Sequence, residues 1–108
     1  MKLKAGERIK GLRELMGLSR TEFGELVGIE PARIRNIELQ RTKVNEDDFA
    51  ALGLTMPELL PWLTYEADIS FEDMLQSQNK LLRLIAARIE AGQVPEGHYL
   101  DHFIRKTG

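Results

Sequence analysis

A single glycine set between two capped helical stretches constrains this chain more than any other feature. From Ser19 to Arg41 the sequence runs SRTEFGELVGIEPARIRNIELQR. Ser19 followed three residues later by Glu22 spells a capping box, in which hydroxyl and carboxylate each satisfy an amide that the first turn leaves unpaired. Phe23, Leu26 and Val27 then supply an apolar stripe at helical spacing. Gly28 predicts the turn, because left-handed backbone is cheap only for glycine. Glu30 as N-cap and Pro31 at the first helical position open the next helix, where proline loses no needed hydrogen bond. Ile34, Ile37 and Leu39 are expected to bury, leaving Arg33, Arg35, Asn36 and Gln40 exposed.

The flanking segments read as further short helices. Ile9, Leu12, Leu15 and Met16 share one face of a helix over Ala5 to Met16, with Arg8, Lys10, Arg13 and Glu14 toward water and Gly17 as its end. Asn45 caps a fourth helix through Phe49, Leu52 and Leu54, and Asp47 and Asp48 in its first turn complement the dipole. Thr55 with Glu58 predicts a capping box for a fifth helix that Pro61 stops. The expectation is an all-α domain over residues 1–61, followed by a helical extension over 62–108.

The extension opens with a change of period. Leu63, Tyr65, Ala67 and Ile69 alternate with polar residues, which reads either as a short strand near 63–70 or as an extended linker. A lone strand needs a partner, and the same strand of a second subunit is one candidate. Ser70 then caps a long helix to about Ala91. Met74, Leu75, Leu81, Leu82, Ile85 and Ile89 on it recur as a dimer seam would, with Gln78 as a polar register point. The same stripe serves equally to cover its own domain. Gly92 ends that helix, and beyond Pro95 the residues Tyr99, Leu100, Phe103 and Ile104 suggest a last short helix.

Composition narrows the functional classes. The chain has 108 residues, 43% of them apolar, enough for one modest core. Ten Lys and Arg face six Asp and Glu in residues 1–45, a net of +4, whereas residues 46–108 carry five against eleven, a net of −6. A basic half suits phosphates and an acidic half avoids them. Cysteine is absent, which excludes disulfides and thiolate chemistry. No run of about 18 apolar residues exists and the first residues do not resemble a signal peptide, so a cytoplasmic protein is expected, with no membrane partner. His98 and His102 stand four apart but lack the glutamate of a zinc-peptidase motif, so no metal or other cofactor is expected. No phosphate loop, nucleophile set or paired catalytic carboxylates are visible, and an enzyme is not expected.

The run from Gly6 to Glu38, with Arg8 and Arg13 on its first helix, capped Ser19, Gly28 turn, Ile34 and Ile37-Glu38 pair, resembles the phage-repressor-like (XRE or Cro-like) helix-turn-helix regulators. The resemblance covers roughly residues 4–60. It implies a five-helix fold whose third helix lies in the major groove of DNA. It also implies that Glu30, Pro31, Ala32 and Asn36 sit near base edges with Arg33 and Arg35 alongside. Arg20, Arg41 and Lys43 would then meet phosphates, and Lys10 and Arg13 more weakly. Gly24 stands where the family usually has alanine, and Gln40 where it prefers glycine. Glu30 brings a carboxylate close to the DNA.

Side-chain chemistry favours Arg33 and Asn36 as base readers, since arginine bonds guanine and asparagine bonds adenine through two atoms each. Arg35 reads or clamps, and Pro31 and Ala32 could touch only thymine methyl groups. The expected function is a sequence-specific transcriptional regulator, a repressor by default. It would bind an inverted-repeat operator as a homodimer through the 30–41 helix. The alternative is an antitoxin or other interaction module whose acidic C-terminal half binds a partner protein. A third reading places a controlling metabolite near Trp62 and Tyr65.

Overall fold

The computed structural model describes residues 4–65 and 67–93 and the backbone of 103–104. The chain is mostly helical. Helix α1 spans Ala5–Met16 and ends at Gly17, whose φ of 72° is left-handed. Helix α2 spans Arg20–Val27 and α3 spans Pro31–Glu38, separated by Gly28 at φ 76°. Both hydrogen bonds of the Ser19–Glu22 capping box form, at 3.1 and 2.9 Å. Helix α4 covers Glu46–Thr55, and Asn45 caps it through a second box with Asp48.

Gly24 is small for a packing reason. A Cβ there would lie 2.5 Å from the carbonyl oxygen of Ile29, so the turn between α2 and α3 folds tightly over the glycine. Gly6 plays the same part between α1 and α3, where a Cβ would run into the carbonyl of Ile37. Gln40 adopts φ 63°, the backbone for which glycine is favoured. Its amide donates to the Ile37 carbonyl at 3.1 Å and closes the last turn after α3.

The fifth helix departs from expectation. Thr55 belongs to the end of α4, and a short 3-10 turn at Pro57–Leu59 leads into α5, Leu60–Tyr65. Pro61 therefore lies in the first turn of a helix, where its missing N–H is harmless, instead of stopping one. The eight-residue strand is also corrected, because 63–65 are helical and strand β1 is only Ile69–Ser70. It pairs in parallel with β2, Phe103–Ile104 of the same chain, so the partner is internal and Phe103 and Ile104 are not helical.

The single long helix beyond Ser70 is two. Helix α6 covers Phe71–Gln76 and α7 covers Lys80–Glu90. Between them the Ser77 hydroxyl accepts from the Asn79 amide at 3.0 Å, and the Asn79 side chain accepts from the Leu81 amide at 3.0 Å. Serine and asparagine side chains here replace the helical ladder. The turn is tied back to α4 and its successor: Asn79 Nδ2 donates to the Thr55 carbonyl at 2.9 Å, and Ser77 Oγ to Glu58 at 2.9 Å.

One buried cluster gathers residues from both sides of position 61, including Leu12, Phe23, Ile34, Ile37, Leu52, Trp62, Phe71, Met74, Leu82 and Ile85. Burying a large apolar side chain contributes about 1.5–3 kcal/mol, so the shared core ties the C-terminal helices to the first four. Two leucines expected inside are not, Leu39 being 44% exposed and Leu26 37%, and Leu54 on α4 is 90% exposed. Arg8 moves the other way. It is buried beside Leu12, and its Nε and Nη2 donate to the Leu63 carbonyl at 3.1 and 2.9 Å. Among the described residues no helix is long and apolar enough to cross a membrane.

Candidate nucleic-acid interface

Helix α3 turns Ile34, Ile37 and Glu38 inward. Spacing of three and four therefore places Ala32, Arg35, Asn36 and Leu39 outward, as their exposures bear out, with Asn36 half-buried. Among the described residues the side chains of Arg35 and Asn36 make no hydrogen bond or ion pair. Glu30, also exposed, caps α3 by position only, since its carboxylate takes no helix amide. Pro31 is half-buried at the first turn.

Arg13, Arg20 and Arg33 are engaged within the protein. Glu38 has a fully buried side chain and receives two guanidinium groups. Arg13 donates to it through Nε at 2.7 Å and Nη2 at 2.9 Å, and Arg20 through Nε at 3.0 Å. The pair with Glu38 raises the Arg13 pKa against the opposing effect of burial. Helices α1, α2 and α3 thus meet at one carboxylate. Arg13 also donates to the Leu18 carbonyl at 2.9 Å, which leaves it little to offer a phosphate. Glu38 was visible in the sequence as a carboxylate four residues after the buried Ile34, a position on the apolar stripe.

Arg33, half-buried, grips Asp48 with Nε at 2.7 Å and Nη2 at 2.6 Å. Its pKa is raised by that contact, and Asp48 is held below its ordinary value, first by Arg33 and then by the Asn45 amide. Asp48 is buried rather than facing the dipole from solvent. The Asn-x-x-Asp spacing that makes it the third residue of a capping box was the signal for it.

Beyond α3 lies an open groove of about 780 Å³ between the start of α1, the 40–44 loop, Phe49 and the end of α5. Among the described residues Lys4, Arg8, Arg41 and Lys43 line it and no carboxylate does. Arg41 and Lys43 are exposed, as expected for phosphate contacts, and so is Lys10 on α1. Lys4 was missed by sequence reasoning, because only the fold brings the start of α1 beside residues 41–43. Tyr65 is on this groove, but Trp62 is in the core, so the two do not share a cavity.

Of the seam residues, Met74, Leu82 and Ile85 are buried in the protein's own core, Leu81 and Ile89 are partly buried, and Leu75 is 42% exposed. The break at residues 77–79 means they do not form one continuous stripe. His98 and His102 lie outside the described residues, among which no group of three metal-binding side chains occurs. No family model, no curated protein and no solved structure matches this chain.

Proposed function

We propose that the protein is a helix-turn-helix DNA-binding regulator of the repressor-like kind, acting as a homodimer on an inverted repeat. The observation that carries this reading is the outward face of α3, where among the described residues Arg35 and Asn36 have no internal partner, beside a groove whose described charged lining is all cationic. Arg35 offers the paired N–H groups that guanine accepts, and Asn36 the donor and acceptor that adenine requires. Lys4, Arg41, Lys43 and Lys10 hold the phosphates and so set the register without reading sequence. Arg13 and Arg20 act from beneath, fixing α3 against α1 and α2 through Glu38. The dimer is built on the exposed apolar residues of α6 and α7, Leu75 and Leu84, with Leu81 and Ile89 at their side. Two α3 helices about 34 Å apart would then meet successive major grooves on one face of the duplex.

Fluorescence anisotropy tests the reading on DNA from upstream of the protein's own gene, beside a random duplex and across salt concentrations. Selective binding is expected to weaken steeply with salt, each phosphate contact adding roughly 0.9 to the log–log slope. An Arg35→Ala/Asn36→Ala variant is expected to lose the selectivity and keep the salt dependence. Equal, weak binding to both duplexes by the unaltered protein would sink the proposal and direct attention to protein partners of the acidic half.

A further inference from the structure

We infer that Asp48, which faces away from the outward side of α3, sets base preference by withholding Arg33 from the DNA. The inference rests on the DNA-binding reading above and adds a specificity determinant to it. Sequence chemistry alone makes Arg33 the natural guanine reader; its surroundings make it a positioning residue.

The geometry is a fork closed on a fork. Nε and Nη2 of Arg33 donate to Oδ1 and Oδ2 of Asp48 at 2.7 and 2.6 Å. Charge-assisted pairs of this shape are about twice as strong as neutral hydrogen bonds. The second proton of Nη2 is directed at the Lys43 carbonyl, 3.5 Å away. Only Nη1 remains, and one nitrogen does not present the two parallel N–H groups that guanine accepts.

The carboxylate cannot follow Arg33 outward. Its side chain is 5% exposed, against 34% for Arg33. The Asn45 amide donates to Oδ2 at 2.8 Å, and the Asp48 amide donates to the Asn45 side chain at 2.9 Å. Asp48 is therefore pinned to the start of α4 on one side and holds Arg33 on the other. The loop with Arg41 and Lys43 lies between these two anchors. Arg33 thus orders the phosphate-contacting loop and sets α3 against α4, while base reading passes to Arg35 and Asn36.

The test is selection from a library of random duplexes by the full-length protein and its Arg33→Met, Arg35→Ala and Asp48→Asn variants, followed by affinity measurement on the selected motif. Arg33→Met is expected to select the unaltered motif, with affinity lowered by a similar factor for every sequence. Arg35→Ala is expected to lose at least about tenfold discrimination at one base pair per half-site, the weight of a bidentate contact. Asp48→Asn, which leaves Arg33 a weaker partner, is expected to add a guanine preference absent from the unaltered protein. If thermal melting shows Arg33→Met unfolded, Arg33→Lys carries the same expectation, since lysine keeps the charge and lacks the fork. Loss of a selected guanine in the Arg33 variant would overturn the inference, because Asp48 would then be bracing a reader. An unchanged motif in a folded Asp48→Asn variant overturns it too. If the unaltered protein enriches no sequence, the DNA-binding reading fails, and this inference with it.

Discussion

Helix α1 is held on its two flanks by different kinds of force. Toward α2 and α3, the carboxylate of Glu38 joins it through Arg13 and Arg20 in a buried cluster. Toward α7 the attachment is apolar, through Leu82, Ile85 and Ala86, with one polar tie from Arg88 Nε to the Leu15 carbonyl at 2.5 Å. That guanidinium lies over Gly17, where it also complements the negative end of the α1 dipole. Apolar contact is non-directional and scales with area, whereas a bidentate ion pair has one geometry. The outward face of α3 is thus oriented by the directional flank, and the mass of the core is completed by the other.

The largest expected effect breaks the directional flank. Glu38→Ala leaves two guanidinium groups without their acceptor and is expected to destabilise the protein by about 4 kcal/mol, measured by urea unfolding. Replacing Glu38 by Met, of similar volume, should restore packing but leave the arginines unpaired, whereas Gln leaves them one weaker, uncharged acceptor. A loss under ~1 kcal/mol in Glu38→Ala would show that the cluster is dispensable and that both flanks are apolar in effect.

Ile85→Ala breaks the other flank. A fully buried isoleucine removed from the core is expected to cost about 3 kcal/mol. Hydrogen exchange sharpens the contrast: in this variant amides of α7 should exchange faster before those of α3 do, because α3 keeps its ion cluster. Uniform acceleration of both helices would mean that the flanks open as one unit.

The contrast also governs what the sequence disclosed. The existence of helices α1 to α4 was legible because their signals are local: Ser19 with Glu22, Gly17, Gly28, Pro31 and Asn45 all act within one turn, although α3 stops at Glu38 rather than reaching Arg41 and Thr55 belongs to α4. The destinations of the charged side chains were not, because they depend on neighbours in space. Arg8 finds Leu63 across 55 positions, and Arg33 finds Asp48 on another helix. Apolar periodicity in 70–91 masked the break that Ser77 and Asn79 impose, since Met74 and Leu82 return to one core from either side of it. The pairing of Ile69 with Phe103 had no local signature at all. On the outward side of α3, the placement of Arg35 and Asn36 could be read from the sequence, and the withdrawal of Arg13, Arg20 and Arg33 into internal ion pairs could not.

Two smaller effects follow. Gln40→Gly relieves left-handed backbone at the end of α3 and is expected to raise stability by about 0.5 kcal/mol, seen as a small rise in Tm. A fall in Tm would show that the Gln40 side chain, which lies close to Gly6, contributes more than the backbone strain removes. The last is a pH dependence. Asp48 is held below its ordinary value in the folded protein, so its stabilising contribution is complete above the ordinary aspartate range. It is lost as pH falls from that range through the lower folded value. Asp48→Asn is expected to flatten the acid limb of a stability–pH curve, and an unaltered limb would mean that other carboxylates govern it.

The hydrogen bond between Arg88 and Leu15 has a consequence for the order in which the protein is made. Its partners lie 73 positions apart, whereas Arg13, Arg20 and Glu38 all leave the ribosome within one short stretch. Chains are synthesised from the amino end, and units that can close locally do so first. The helices that carry the outward face can therefore acquire their mutual orientation while α7 is still untranslated. Through that interval the end of α1 has neither its guanidinium nor its apolar cover, and Leu12, Leu15 and Met16 stand ready to meet whatever apolar surface comes near. Arrival of α7 closes that window, because its Ile85 and Ala86 join the same core and Arg88 reaches the Leu15 carbonyl.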